Sequence, residues 1–186
     1  MDDDRTLVTD VLEHSPGAFE RLVHQYQGLC WHIIQRMVRH PEDTRELCQE
    51  AFLRVHRNLH QYRFDAPLKS WIGQVAYSVA RRHLERKRIP LLDSDDDGVP
   101  LLERIGDGFD LEAATADGEM AAILHAAIDV LAPLQRTILT LYHLDEIPIA
   151  DISRITGLAE GTIKSHLFRS RKQLRGLLDE RLGVIA

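Results

Sequence analysis

The chain has 186 residues, of which 44% are hydrophobic and 28% charged, and a formal net charge of −6. That length holds one or two small domains, no run of about 18 apolar residues is present to span a membrane, and Asp2, Asp3 and Asp4 are the opposite of a signal peptide's basic start. The two cysteines, Cys30 and Cys48, sit in helical patterns, which predicts small core thiols in a cytoplasmic protein rather than a disulfide framework.

Residues 5–13 predict a short helix. Ser15-Pro16 follows as a stop-and-restart signal, with serine as N-cap and proline at the first helical position. Phe19, Leu22, Val23, Tyr26, Leu29, Cys30, Ile33, Ile34 and Met37 then keep helical period over about 20 residues. Pro41 opens a third helix with Leu47, Ala51, Val55 and Leu59 on one stripe. A loop over Arg63 to Pro67 leads to a fourth helix from Leu68 to Arg88, whose basic end suits the helix dipole. Residues 89–118 have two prolines, several glycines and no sustained period, and predict a flexible acidic linker. Helical pattern resumes at Ile123, Leu124, Ala127, Ile128 and Leu131, and Pro133 starts another helix carrying Leu134, Ile138 and Leu141. With no strand-like alternation, the expected class is all-α: two small helical domains, 1–88 and 119–186, joined by the linker 89–118.

The net charge hides its distribution. Residues 1–88 carry 14 basic and 12 acidic side chains, residues 89–118 carry 1 and 9, and residues 119–186 carry 8 of each. The acidity therefore belongs to the linker, while cations gather at Arg81–Arg88 and at Lys164–Arg175.

The last segment reads as a helix-turn-helix. Ile149, Ile152 and Ile155 line one face of a short helix, and Gly157 stands where a left-handed residue ends it. A second helix follows with Ile163, Leu167, Leu174 and Leu178 on its apolar side. Its other side carries Thr162, Lys164, Ser165, His166, Arg169, Arg171 and Lys172: hydroxyls for close approach and cations for phosphates and guanine edges. The second helix of such a motif lies in the DNA major groove.

Taken together, these segments resemble a bacterial RNA polymerase sigma factor of the sigma-70 family, in its short extracytoplasmic-function (ECF) type. AFERLVHQY from Ala18, PEDTRELCQEAFLRV from Pro41 and LKSWIGQVAYSVARRHL from Leu68 fit the family's region 2 in order and spacing. LAPLQRTILTLY from Leu131 and GLAEGTIKSHLFRSRKQL from Gly157 fit region 4. The resemblance implies a non-enzymatic factor that binds core polymerase and recognises the minus-ten and minus-thirty-five promoter elements. Its implied partners are the clamp of the largest subunit, the flap of the second-largest subunit, promoter DNA and an anti-sigma factor, and no cofactor is implied.

Within that resemblance, Asp43, Glu46, Gln49 and Glu50 share one face of the third helix and are the expected polymerase contacts. Thr44 and Arg45 depart from the family's small residue and acid, and Thr44 becomes a candidate phosphorylation site that would restore negative charge. Phe64, Lys69, Trp71, Tyr77, Ser78, Arg81 and Arg82 are the expected minus-ten residues, because single-stranded DNA needs stacking rings beside cations. Trp71 reads equally well as a core residue, and Ser78 stands where many relatives carry asparagine. No ATP motif is present, so strand opening has to draw on binding energy. Arg136, Thr162, Lys164, Ser165, His166, Phe168, Arg169 and Arg171 are the expected minus-thirty-five residues, with Arg136 and Thr162 assigned to phosphates. Ala159 replaces the usual serine before Glu-Gly-Thr, removing a side-chain N-cap. The acidic linker reads either as a phosphate mimic in a basic polymerase channel or as a solubilising tether.

Two other classes compete. Ten histidines, with His56 and His60 four apart, suggest metal, but no cysteine or carboxylate cluster completes a ligand set, and no metal is expected. No phosphate-cradling glycine loop or nucleophile arrangement supports an enzyme. A stand-alone helix-turn-helix regulator differs from a sigma factor in binding its operator without polymerase.

Overall fold

A computed structural model describes residues 2–92 and 118–182, which form helices and turns with no strand among the described residues. All but the ends of the predicted linker lie outside them. The described residues fall into two compact units, the first holding the residues up to Ile89 together with Arg154–Gly157.

The first unit contains α1 (Asp2–Leu12), α2 (Ala18–Val38), α3 (Pro41–Asn58) and α4 (Leu68–Arg86), with a single 3-10 turn at Leu59–Gln61. Helix α2 is central and packs on α1, α3 and α4. Its stripe of Leu22, Cys30, Ile33, Ile34 and Met37 is buried with Leu47, Ala51 and Val55 of α3 and Ile72, Ala76 and Leu84 of α4. Each large aliphatic group removed from water here contributes about 1.5–3 kcal/mol, which is what holds four helices of modest intrinsic propensity together.

The predicted restart at Ser15-Pro16 is shifted. Gly17, at φ 71°, is the residue before α2, and it offers no side chain to cap the helix. Ser15 contributes its carbonyl instead, accepting from the Ala18 amide at 3.1 Å. Glycine takes that left-handed conformation without steric cost, so it wins over a serine two residues earlier. Pro41 does open α3, and the preceding His40 caps it, its Nδ1 accepting from the Asp43 amide at 3.3 Å. A histidine is not among the usual cap residues, so composition gave no sign of it.

The second unit contains α5 (Gly118–Val130), α6 (Pro133–His143), the part of α7 (Ile149–Thr156) up to Ser153, and α8 (Glu160–Leu182). Helix α8 packs against both α5 and α6. Leu124, Ile128, Ile138, Leu141, Ile152, Ile163, Leu167 and Leu174 are buried. Gly157 adopts φ 76° and ends α7, as its position predicts. The Ser153 hydroxyl donates to the Leu158 carbonyl at 2.6 Å, fixing the three-residue turn between α7 and α8.

Candidate nucleic-acid interface

The four residues expected on one face of α3 do not act alike. Glu46 and Gln49 are exposed, and Glu50 is half-buried and paired with Arg54. Asp43 is engaged within the unit. Its Oδ2 lies 2.6 Å from Lys87 Nζ and 3.3 Å from His83 Nε2, and its Oδ1 lies 3.6 Å from His40 Nδ1. The hydrogen bond from Lys87 holds the Asp43 carboxyl below the ordinary carboxylate value. The carboxylate thus joins the start of α3 to the residue after α4, instead of facing outward. Arg45 pairs with Glu42 at 3.3 Å.

Thr44 corrects a further expectation. It is fully buried, its hydroxyl 2.7 Å from Gln35 Oε1 and 2.9 Å from the His40 carbonyl. A hydroxyl spent on α2 and on its own helix is not presented to a kinase, and a phosphate there would meet the packed α2–α3 seam.

Beside Glu46 and Gln49 runs an apolar groove of about 640 Å³ that the sequence reading missed. Phe19, Val23 and Trp31 of α2 and Cys48, Phe52 and Leu53 of α3 line it. Leu53 is 56% exposed, a large apolar side chain left in water at the groove's edge. The available signal was that Trp31 and Leu53 fall off the buried stripes of their helices.

The loop before α4 gathers aromatic rings. Tyr62 and Phe64 have centroids 4.7 Å apart, and Tyr62 and Trp71 5.6 Å apart. Tyr62, not anticipated from the sequence, anchors the loop by donating its hydroxyl to the Ala66 carbonyl. Phe64 is half-buried at φ 60°, a left-handed conformation that is an outlier for an aromatic residue and marks a strained site. Lys69, Arg81 and Arg82 are exposed on α4, with Arg81 Nε 3.4 Å from Glu85. Ser78 is half-buried, and Tyr77 is buried and offers no ring face to a base.

In the second unit Thr162 and Lys164 are exposed on the first turns of α8. Ser165, Phe168, Arg169 and Arg171 are half-buried; the Ser165 hydroxyl donates to the Gly161 carbonyl at 3.0 Å and Arg171 Nε to the Leu167 carbonyl at 3.2 Å. His166 is 3% exposed, with its Nδ1 3.5 Å from Arg169 Nη2, so its ring is packed inside the unit rather than presented on the surface of α8.

Arg136 is a second interior case. It is 3% exposed, and Nη1 donates to the carbonyls of Asp129 at 3.1 Å and Leu131 at 2.9 Å. These are carbonyls at the end of α5, which have no partner within the helix, and a cation there also suits the dipole. The guanidinium is therefore spent on joining α5 to α6, and the phosphate contact expected of it does not form from this position.

Among the described residues no group of three or more His, Cys, Asp and Glu side chains is placed to hold a metal ion. No described helix is long and apolar enough to cross a membrane.

Comparison with known proteins matches these two units separately. Residues 22–89 match the family described as Sigma-70 region 2, and residues 121–174 match Sigma-70, region 4. The RNA polymerase sigma-H factor of Pseudomonas aeruginosa is 30% identical over 97% of this chain and 98% of its own. The ECF RNA polymerase sigma-E factor of Escherichia coli K12 is 28% identical over 92% of each, and the ECF sigma factor SigW of Bacillus subtilis is 24% identical over 90% and 92%. Among solved structures, CnrH in complex with the cytosolic domain of CnrY aligns at TM-score 0.67, 19% identity and 95% and 97% coverage. The sigma factor RpoE of Bartonella quintana, in complex with the anti-sigma factor NepR, aligns at TM-score 0.59, 20% identity and 88% and 98% coverage.

Proposed function

The chain belongs to the ECF group of the sigma-70 family of RNA polymerase sigma factors, and on that premise we propose how its residues divide the work. As a sigma factor it is not an enzyme: it binds core polymerase and directs promoter-specific initiation through the minus-ten and minus-thirty-five elements.

Residues 1–88 take the polymerase clamp and the minus-ten element. Glu46, Gln49 and Glu50 form the charged rim of the clamp contact, with the groove of Trp31, Phe52 and Leu53 supplying the apolar area. Charged rims set register and on-rate, and buried apolar anchors supply the affinity. Phe64 with Tyr62 and Trp71 offers stacking surface to the opened strand, and Lys69, Arg81 and Arg82 take its phosphates. Ser78 lies one helical turn below on α4. Stacking gives about 1–3 kcal/mol per base, enough to offset the few kcal/mol that unstacking costs.

Residues 119–186 take the minus-thirty-five element and the polymerase flap, and residues 89–118 connect the two. Thr162, Lys164, Ser165, Phe168, Arg169 and Arg171 read or grip the DNA, with His166 and Arg136 supporting them from within. A factor that acts on the chromosome's polymerase works in the cytoplasm. An anti-sigma factor is the expected restraining partner, supported by the Bartonella quintana relative solved with one.

The observation that carries this division is that one chain holds both halves of a bipartite reader. An aromatic loop precedes α4, which carries exposed cations, and an exposed hydroxyl-and-cation face opens α8. Runoff transcription with purified core and mapped start sites tests it. Lys69→Ala is expected to impair opening while upstream protection persists, and Lys164→Ala to weaken upstream protection. Loss of neither, or operator binding without polymerase, would remove the assignment.

A further inference from the structure

We propose that Arg5, on the N-terminal helix, is a strand contact of the minus-ten capture site. The proposal rests on the reading of the Phe64 loop as that site.

Three observations carry it. The Arg5 guanidinium carbon lies 4.7 Å from the centroid of the Phe64 ring. Its side chain is exposed, and among the described residues it faces no carboxylate, so its charge and its donors are uncommitted apart from the ring. Second, the backbone that carries it is pinned at this place. The neighbouring Asp4 accepts from the Tyr26 hydroxyl at 3.0 Å through Oδ1 and from the Leu68 amide at 3.3 Å through Oδ2. One carboxylate thus ties α1 to the core helix α2 and to the first residue of α4, directly after the loop. Third, Phe64 is held in a left-handed conformation, and such strain persists where the surroundings over-determine it and often marks a ligand site.

The physical consequence follows from geometry. A base and a guanidinium cannot both lie flat on one ring face. An exposed cation–π contact is weak, whereas a phosphate offers the same guanidinium a charge-assisted, bidentate partner. When the strand arrives, the base takes the ring, and Arg5 moves by a side-chain rotation to the flanking phosphate. Asp4 is then a positioning residue that keeps Arg5 within reach. The site therefore draws on a helix at the far end of the first unit's sequence.

The test uses holoenzyme assembled from core polymerase and the full chain. The probe is a fluorescent fork DNA with a single-stranded minus-ten segment, taken from a promoter that wild-type holoenzyme selects from a random-sequence library. Arg5→Ala is expected to bind about fivefold more weakly, and its plot of log affinity against log salt to be shallower by about 0.7. Arg5→Lys should restore the slope and part of the affinity, with core binding and thermal midpoint unchanged in both variants. Unchanged affinity and slope for Arg5→Ala would overturn the proposal, and so would tighter binding, which would make the guanidinium a mere cover for the ring. If wild-type holoenzyme selects no promoter, the capture-site reading itself fails and this proposal with it.

Discussion

Lys87 Nζ donates to Asp43 Oδ2 at 2.6 Å, bridging 44 positions of sequence and tying the start of α3 to the residue that follows α4. His83 Nε2 lies 3.3 Å from the same carboxylate, and His40 Nδ1 accepts from the Asp43 amide, so the acid is held from both sides. This makes Asp43 a joint between the proposed polymerase-facing helix and the basic end of the proposed DNA-facing one. Asp43→Asn is expected to leave core affinity within about twofold, because the carboxylate is already engaged by Lys87 and His83. Glu46→Lys should slow association severalfold in a way that added salt erases. Hydrogen exchange at residues 86–88 should rise in Asp43→Asn and stay unchanged in Glu46→Lys.

The same carboxylate has a defined pH signature. Its folded value is lowered, chiefly by the Lys87 hydrogen bond, so its contribution is fully present above the ordinary value of 3.8. It is lost as pH falls through the lower folded value. The stability difference between wild type and Asp43→Asn should accordingly hold from neutral pH to mildly acidic pH, then close below 3.8. A difference that closed already between pH 7 and 5 would contradict the lowered folded value of Asp43.

Thr44→Ala leaves Gln35 without a buried donor and should destabilise the first unit by about 1–3 kcal/mol. Thr44→Glu should cost more, because it places a charge in the α2–α3 seam. Neither should strengthen core binding. Urea melts and core titrations of the two variants check this, and tighter core binding by Thr44→Glu would reinstate the surface reading.

Local signals were legible in the sequence where proline and glycine act on their own backbone. Pro41 and Pro133 stand at the first positions of α3 and α6, and Gly157 closes α7 at φ 76°. The start of α2 was misplaced because Ser15-Pro16 and Gly17 are competing signals, and only the folded chain shows which prevails. The candidate site was legible by residue type and not by direction. Asp43, Thr44, Tyr77, Arg136 and His166 were placed outward because polar and basic side chains usually are. Each is turned inward by a partner or by packing that sequence spacing does not encode. The contacts from Lys87 to Asp43 and from Leu68 to Asp4 span 44 and 64 residues, and one sequence carries no record of such pairings.

The two thiols should be inert in the folded protein. Burial, aided by nearby Cys48, pushes Cys30 up to about 12, and burial pushes Cys48 up to about 11. Near pH 8 a disulfide reagent should modify either at least about a hundredfold more slowly than a free thiol, and both should react in denaturant. As pH rises, Cys48 should become reactive before Cys30. Because the unfolded chain ionises first, stability should fall as pH climbs past the ordinary thiol value of 9.0. Cys30→Ala should flatten that alkaline loss while lowering stability at neutral pH through the cavity it leaves.

Arg136 and Lys164 separate a fold contact from a DNA contact in the same unit. Arg136→Ala removes a guanidinium bonded to two carbonyls at the end of α5 and leaves those acceptors buried. Charge-assisted bonds of this kind contribute about 1.5–3 kcal/mol, so the second unit should melt well below wild type. Lys164 is exposed at the start of α8. Lys164→Ala should change stability by less than about 0.5 kcal/mol. It should nevertheless weaken holoenzyme binding to duplex upstream DNA and flatten the salt dependence by about 0.9, the loss of one phosphate contact. Calorimetry of both variants alongside salt titrations on one upstream duplex distinguishes the two roles. A destabilised Lys164→Ala, or an Arg136→Ala that melts normally but binds DNA weakly, would exchange the assignments.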